Sequence, residues 1–322
     1  MAKQKFSLKN AEQVRQTTTM SQQKEIKRLY EQLYQDVTRK VGQLGNNNLQ
    51  KQNLILLQRD IKNRIAQLNS DIQNGIIRDM RIVSNEVVED TRTFLKQCGF
   101  RDEDIHNAFS YVPDQIIRNI TSGNVYQDGW TLSGAIWGYN KRTQEDLNKI
   151  ISIGTTQGKS AVEIARELEQ YVDPSARKSA KTIQSWRYDK VGNKTKDSVY
   201  FGKIDYNALR LARTLISHAY QQSFENVNRN DPFVVGYRWL TSNFHGRVCE
   251  ICRARAETDQ FGLGVGVFPK DQLPLDHPNG MCTFEAVIPD SMTDIARKIG
   301  QWYQAPIGTY PDIDKYALDF IT

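Results

Sequence analysis

Long apolar runs are missing from this sequence. No stretch of 18 apolar residues occurs among its 322 residues, so no membrane-spanning helix is expected. The opening MAKQKFSLKNAEQ lacks the apolar core of a secretory signal, so synthesis in the cytoplasm is expected. Cysteine is scarce as well. Four residues are too few for a disulfide scaffold at this length. Cys98 stands far from the other three and reads as a small buried side chain near a helix end. Histidine is equally sparse, with four residues. Charge of neither sign dominates: 43 Lys and Arg face 37 Asp and Glu, a net +6.

What is present is helical pattern first. Ile26, Leu29, Leu33, Val37, Val41 and Leu44 recur every three or four residues, one apolar face of a helix. The turn-forming GQLGNNN, Gly42 to Asn48, interrupts it. Leu54, Leu57, Ile61, Ile65, Leu68, Ile72 and Ile76 begin a second run that continues to about Leu95, with Gly99 as a stop. Residues 1–100 therefore read as a long helical hairpin. Residues 101–176 read as shorter helices. Pro113 sits in the first turn of one, where its missing N–H costs nothing. Ser160 and Glu163 form a capping box for another, whose buried face is Val162, Ala165, Leu168 and Tyr171.

Residues 177–206 hold the charge. Arg177, Lys178, Lys181, Arg187, Lys190, Lys194, Lys196 and Lys203 face only Asp189 and Asp197, so this stretch alone carries +6. Trp186, Tyr188, Tyr200 and Phe201 are interleaved with them. The segment reads as a loop or as a hairpin turning at Gly192–Asn193. The eight cations suit non-specific contact with double-stranded DNA phosphates, and equally a solvated surface loop.

Residues 207–304 read as a small α+β domain. Asn207 is expected to cap a helix whose inner face is Leu209, Ala212, Ile216, Ala219 and Phe224. FVVGYRWLT and TFEAVIP alternate like strands. A short helix follows from about Ser291 to Tyr303. The tail 305–322 shows little periodicity.

Between the two strands lies Cys249-x2-Cys252-x24-His277-x4-Cys282. A C-x2-C pair on a tight turn brings two thiolates onto one ion, and a second pair from a returning loop completes a tetrahedral Cys3His set. These four are the expected ligands of a structural zinc. A closed set leaves no position for water, and no H-E-x-x-H or deaminase signature is present, so no catalytic residues are assigned. The same cysteines also fit buried or redox thiols, and His245 is an alternative fourth ligand.

At these residues the chain resembles the phage head morphogenesis proteins, the Mu F-type minor head family. The resemblance lies in LARTLISHAY with Arg213 and Thr214, in GYRWLTSNFHGRVCEIC with Trp239, Arg247, Cys249 and Cys252, and in LDHPNGMCTF with His277, Pro278, Asn279 and Cys282. It covers roughly Trp130 to Pro289, with an insertion at the basic stretch. Leu215 stands where the family often has glutamate, and Gly280 and Met281 replace the first Cys-Arg of its H-P-N-C-R-C. The resemblance implies a virion protein inside the phage head near the portal. Its partners would be portal and capsid proteins, with an oligomer on the portal as one arrangement, and its role assembly and DNA packaging or ejection.

Two other functions stay open. One is a metal-dependent nuclease of HNH-like type using Asp276 and His277, although the second C-x2-C pair of such enzymes is absent. The other is an assembly adaptor without a DNA role, with Tyr316, Leu318, Phe320 and Ile321 of the tail docking on a partner or on their own domain.

Overall fold

A computed structural model describes Phe6, residues 8–43, 51–126, 131–156, Ile164, Glu167, and residues 181–188, 194–201, 203–242 and 248–318. The architecture is α+β: long helices in the N-terminal half and a three-stranded antiparallel sheet in the C-terminal region. The helices are α1 (Lys9–Gln43), α2 (Lys51–Gln97), α3 (Asp102–Ile105), α4 (Val112–Thr121), α5 (Leu132–Thr156), α6 (Lys203–Asn228), α7 (Glu250–Glu257), α8 (Met292–Gln304) and α9 (Pro311–Ala317). The strands are β1 (Lys181–Tyr188), β2 (Lys194–Phe201), β3 (Gly236–Leu240), β4 (Val267–Phe268) and β5 (Thr283–Val287). Among the described residues, no helix is long and apolar enough to cross a membrane.

The chain forms two compact units, neither continuous in sequence. The first comprises Met1–Thr18, Asp79–Ile120 and Thr214–Thr322; the second comprises Thr19–Arg78 and Thr121–Arg213.

In the second unit, α1 and α2 pair antiparallel, as the hairpin reading expects. Their apolar stripes meet: Ile26, Leu33, Val37 and Val41 on one side, Leu57, Ile61, Ile65, Leu68, Ile72 and Ile76 on the other, are all buried. Ion pairs mark the register along the seam. Arg78 bonds Glu25 at 2.8 Å, Arg64 pairs with Asp36, and Lys40 pairs with Asp60. Such exposed pairs add little energy, but they fix which residues face each other. Helix α5 ties on through Asn140, which accepts from Tyr30 Oη at 2.7 Å and donates to Asn69. Strands β1 and β2 pair antiparallel with Trp186 opposite Lys196. The turn expected at Gly192–Asn193 lies outside the described residues. Most of the predicted capping-box helix also lies outside them. Helix α6 starts at Lys203, four residues before the expected cap Asn207, which is inside the helix.

In the first unit, α2 ends in a turn that requires left-handed backbone. Gly99 has φ 97°, its N–H donates to Lys96 O, and Phe100 N–H donates to Leu95 O. That reciprocal pair satisfies carbonyls the helix leaves free, and glycine adopts this φ without steric cost. The sheet order is β4-β3-β5, all antiparallel. Tyr237 and Trp239 alternate onto the inner face of β3, with Ala286 and Phe284 opposite them on β5. Phe224 of α6 packs edge-on against Tyr237 at 5.0 Å, and Trp239 against Phe284 at 5.1 Å. On the other face Arg238 lies 3.9 Å from Glu285. Helix α8 is capped by Ser291, whose Oγ accepts from Asp294 N–H, and it buries Ile295 and Ile299. The tail is not irregular: Pro311 opens α9, which buries Ile313 and Tyr316. Tyr316 meets Phe100 edge-on and Phe109 at a tilt, so it packs on its own unit. Leu318 is exposed, and Phe320 and Ile321 lie outside the described residues.

Candidate metal centre

The C-x2-C pair sits at a helix start rather than on an isolated knuckle. Cys249 has extended backbone at the N-cap of α7, and its Sγ accepts from Cys252 N–H at 3.3 Å. A serine or aspartate does the same work at most helix starts; here sulfur takes the role. The exposed helix N-terminus favours negative charge on that sulfur. Partial burial works against ionisation of Cys249, but the Cys252 N–H and His277 outweigh it and hold the thiol below its ordinary pKa.

The second pair arrives on the loop from Leu275 to Cys282. His277 Nε2 lies 3.3 Å from Cys249 Sγ. Its Nδ1 is 3.1 Å from the Pro278 carbonyl, which can only accept, so the proton sits on Nδ1 and Nε2 is free to ligate. The ligand atoms of Cys249, Cys252 and His277 all lie within 4.8 Å of one another, and so do those of Cys252, Asp276 and Cys282. Neighbouring sulfur and nitrogen ligands of a tetrahedral zinc sit about 3.5 Å apart, and the 3.3 Å between Cys249 Sγ and His277 Nε2 is of that order. All four expected ligands are therefore together, joined through Cys252, and the cluster can hold a metal ion. His245 lies outside the described residues.

Asp276 is part of the cluster but is committed elsewhere. It is buried, its Oδ1 accepts from His277 N–H at 2.9 Å, and its Oδ2 accepts from Cys282 N–H at 3.1 Å. Its own N–H donates to Gln221 Oε1, and its carbonyl accepts from His218 Nε2, whose ring burial holds neutral. The carboxylate thus clamps both ends of the ligand loop. Gly280 makes room for it: a Cβ at that position would overlap the Asp276 carboxylate. The glycine that departs from the family's motif is the one residue type this clamp tolerates. Asn279 takes left-handed backbone at φ 70°, and its N–H donates to Thr214 Oγ1 at 2.8 Å.

The chemistry of the donors fits a cation. Burial pushes the Cys252 and Cys282 thiols up, with the Asp276 charge adding to the effect on both. Neither ionises readily alone, and a divalent ion in the cluster reverses that balance. Trp239 supports the same site. Its buried indole N–H faces the Cys282 sulfur and, as a hydrogen-bond donor, lowers that thiol's pKa.

The sequence singled out the four candidate ligands but not the groups that hold their loop. Thr214, Gln221 and His218 lie on α6, with 50 or more residues between them and their partners in the loop. Helix α7 was not expected: the segment read as a tight turn, although Glu250 follows the cap and Arg255 lies in the last turn.

Of the DNA-contact candidates, Lys181 and Arg187 lie on β1, Lys194 and Lys196 on β2, and Lys203 opens α6. Arg177, Lys178 and Lys190 lie outside the described residues. No model of a known protein family matches the chain, no curated protein matches it, and no solved structure matches it.

Proposed function

We propose that the chain is a minor head protein of a tailed bacteriophage whose C-terminal region is tied by a structural zinc. It acts in the virion, at the portal, in head assembly and DNA packaging or ejection. Its basic hairpin contacts double-stranded DNA without reading sequence. One observation supports the reading most: the motif residues that resemble those of the minor head proteins gather around one cluster that could hold a metal ion. Thr214 holds the loop at Asn279, Trp239 backs Cys282, and Cys249 meets His277. Three thiols and an imidazole are a set that favours zinc, and they leave it no open position. The zinc would supply folding energy to a sheet with strands of two and five residues. Asp276 argues against the nuclease reading, because both its oxygens are engaged by backbone N–H groups and it is buried.

The test is metal content and DNA binding of the intact chain. The expected result is one zinc per chain, lost in Cys282→Ser, and DNA affinity that falls steeply with salt. Freshly reduced wild type without metal overturns the zinc. Cleavage of DNA abolished by His277→Ala overturns the non-enzymatic reading.

A further inference from the structure

Arg15, on the second turn of α1, is fully buried in the first unit. Its Nη1 donates to Cys282 O at 2.9 Å and its Nη2 to Met281 O at 3.0 Å. The guanidinium lies over the Tyr220 ring, 4.3 Å from its centroid. Met281 is held from a third side, where Ser217 Oγ donates to its sulfur at 3.1 Å. The start of α1 is itself anchored: Asp90 of α2 accepts from Ala11 N–H at 2.9 Å and from Asn10 Nδ2 at 2.8 Å. An arginine presents a planar fork of donors, so two adjacent carbonyls on it are fixed in direction as well as position.

We infer that Arg15 is a positioning residue for the metal ligand Cys282, and that metal binding and docking of the N-terminal segment stabilise each other. The inference rests on the metal reading above. The Cys282 backbone is fixed on two sides, by the Asp276 carboxylate at its N–H and by Arg15 at its carbonyl. Those bonds set where Sγ points. Groups that orient ligands in this way typically change metal affinity 10–100-fold when removed. Linkage makes the effect reciprocal: if a docked α1 favours the metal, the metal favours a docked α1 by the same factor. The buried guanidinium also places a positive charge beside a cluster that becomes anionic when three thiolates form, and no sequence motif announces it.

The experiment uses the full chain, with zinc affinity read by chelator competition and ligand geometry by the absorption of the cobalt-substituted protein. Arg15→Lys and Arg15→Met are expected to weaken zinc about 10–100-fold while keeping the sulfur-to-cobalt bands. Chelation of wild type is expected to speed amide hydrogen exchange at residues 11–18, a response that a purely architectural arginine does not produce. Asp90→Ala, remote from the ligand loop, is expected to weaken zinc in the same direction. Folded Arg15 variants with wild-type affinity overturn the inference. If those variants do not fold, a wild-type affinity in Asp90→Ala overturns it. Wild type that takes up neither zinc nor cobalt overturns the metal reading instead.

Discussion

Gly280→Ala is the smallest perturbation that reaches the centre of the site. The added methyl would overlap the Asp276 carboxylate, and that carboxylate has no neutral alternative position: it is buried and accepts from both His277 and Cys282 N–H. Turning it aside forfeits two hydrogen bonds to a charged group, each worth about 1.5–3 kcal/mol, so a loss of about 3–6 kcal/mol is expected. That is a large part of the 5–15 kcal/mol of a typical domain, roughly a 10 °C fall in melting temperature. If the loop backbone moves instead, His277 and Cys282 separate, and the cost appears as weaker metal binding. Thermal melts with and without chelator, together with metal content, report both routes. A variant that melts within about 1 °C of wild type and keeps its metal would refute the clamp. Gly300→Ala serves as the control, because nothing lies within 4 Å of its missing Cβ on the exposed side of α8.

That control has its own expected sign: Gly300→Ala stabilises by about 0.5–1 kcal/mol in urea titration, as alanine does at an open helix position. Trp239→Phe removes the N–H facing Cys282, so it weakens zinc by about tenfold and lowers the melting temperature more with metal than after chelation. Asp231 gives a pH signature. Burial pushes its carboxyl up to about 6, against the Phe233 N–H, Lys270, Tyr316 and the Val234 N–H, which all pull it down. The folded state holds this proton more tightly than the unfolded chain, so the contribution is present below about pH 4 and lost as pH rises through 6. It amounts to at most about 3 kcal/mol. Asp231→Asn therefore gains on wild type between pH 4 and 6.5, and a constant difference across that range would count against the assignment.

The long elements were legible because their physics is local. A stripe such as Ile61, Ile65, Leu68, Ile72 marks a helix wherever it packs, and the alternation of Tyr237 and Trp239 marks a strand face. The cluster of candidate ligands was legible because thiols and imidazole are rare here and grouped. Short capped pieces were less so. Cys249 is an uncommon N-cap, so α7 hid inside the ligand motif, and α9 has only seven residues to carry a period. Asn207 looked like a cap because asparagine often is one, yet the helix runs through it. Arg15 was not legible at all. An arginine in a polar helix reads as solvated, and only the fold shows that carbonyls 266 and 267 residues away receive its charge.

That separation has a consequence for how the protein is made. A ribosome adding about 5–20 residues per second leaves roughly 15–50 s between the appearance of Arg15 and that of Cys282. Throughout that interval the start of α1 lacks the Cys282 carbonyl that receives its guanidinium, and for most of it Tyr220 has not yet been made either. The first unit cannot close before Cys282 has emerged, and contacts of such long range form slowly. Yield from the cell should therefore respond to translation speed and to metal supply at the end of synthesis more than to conditions at its start.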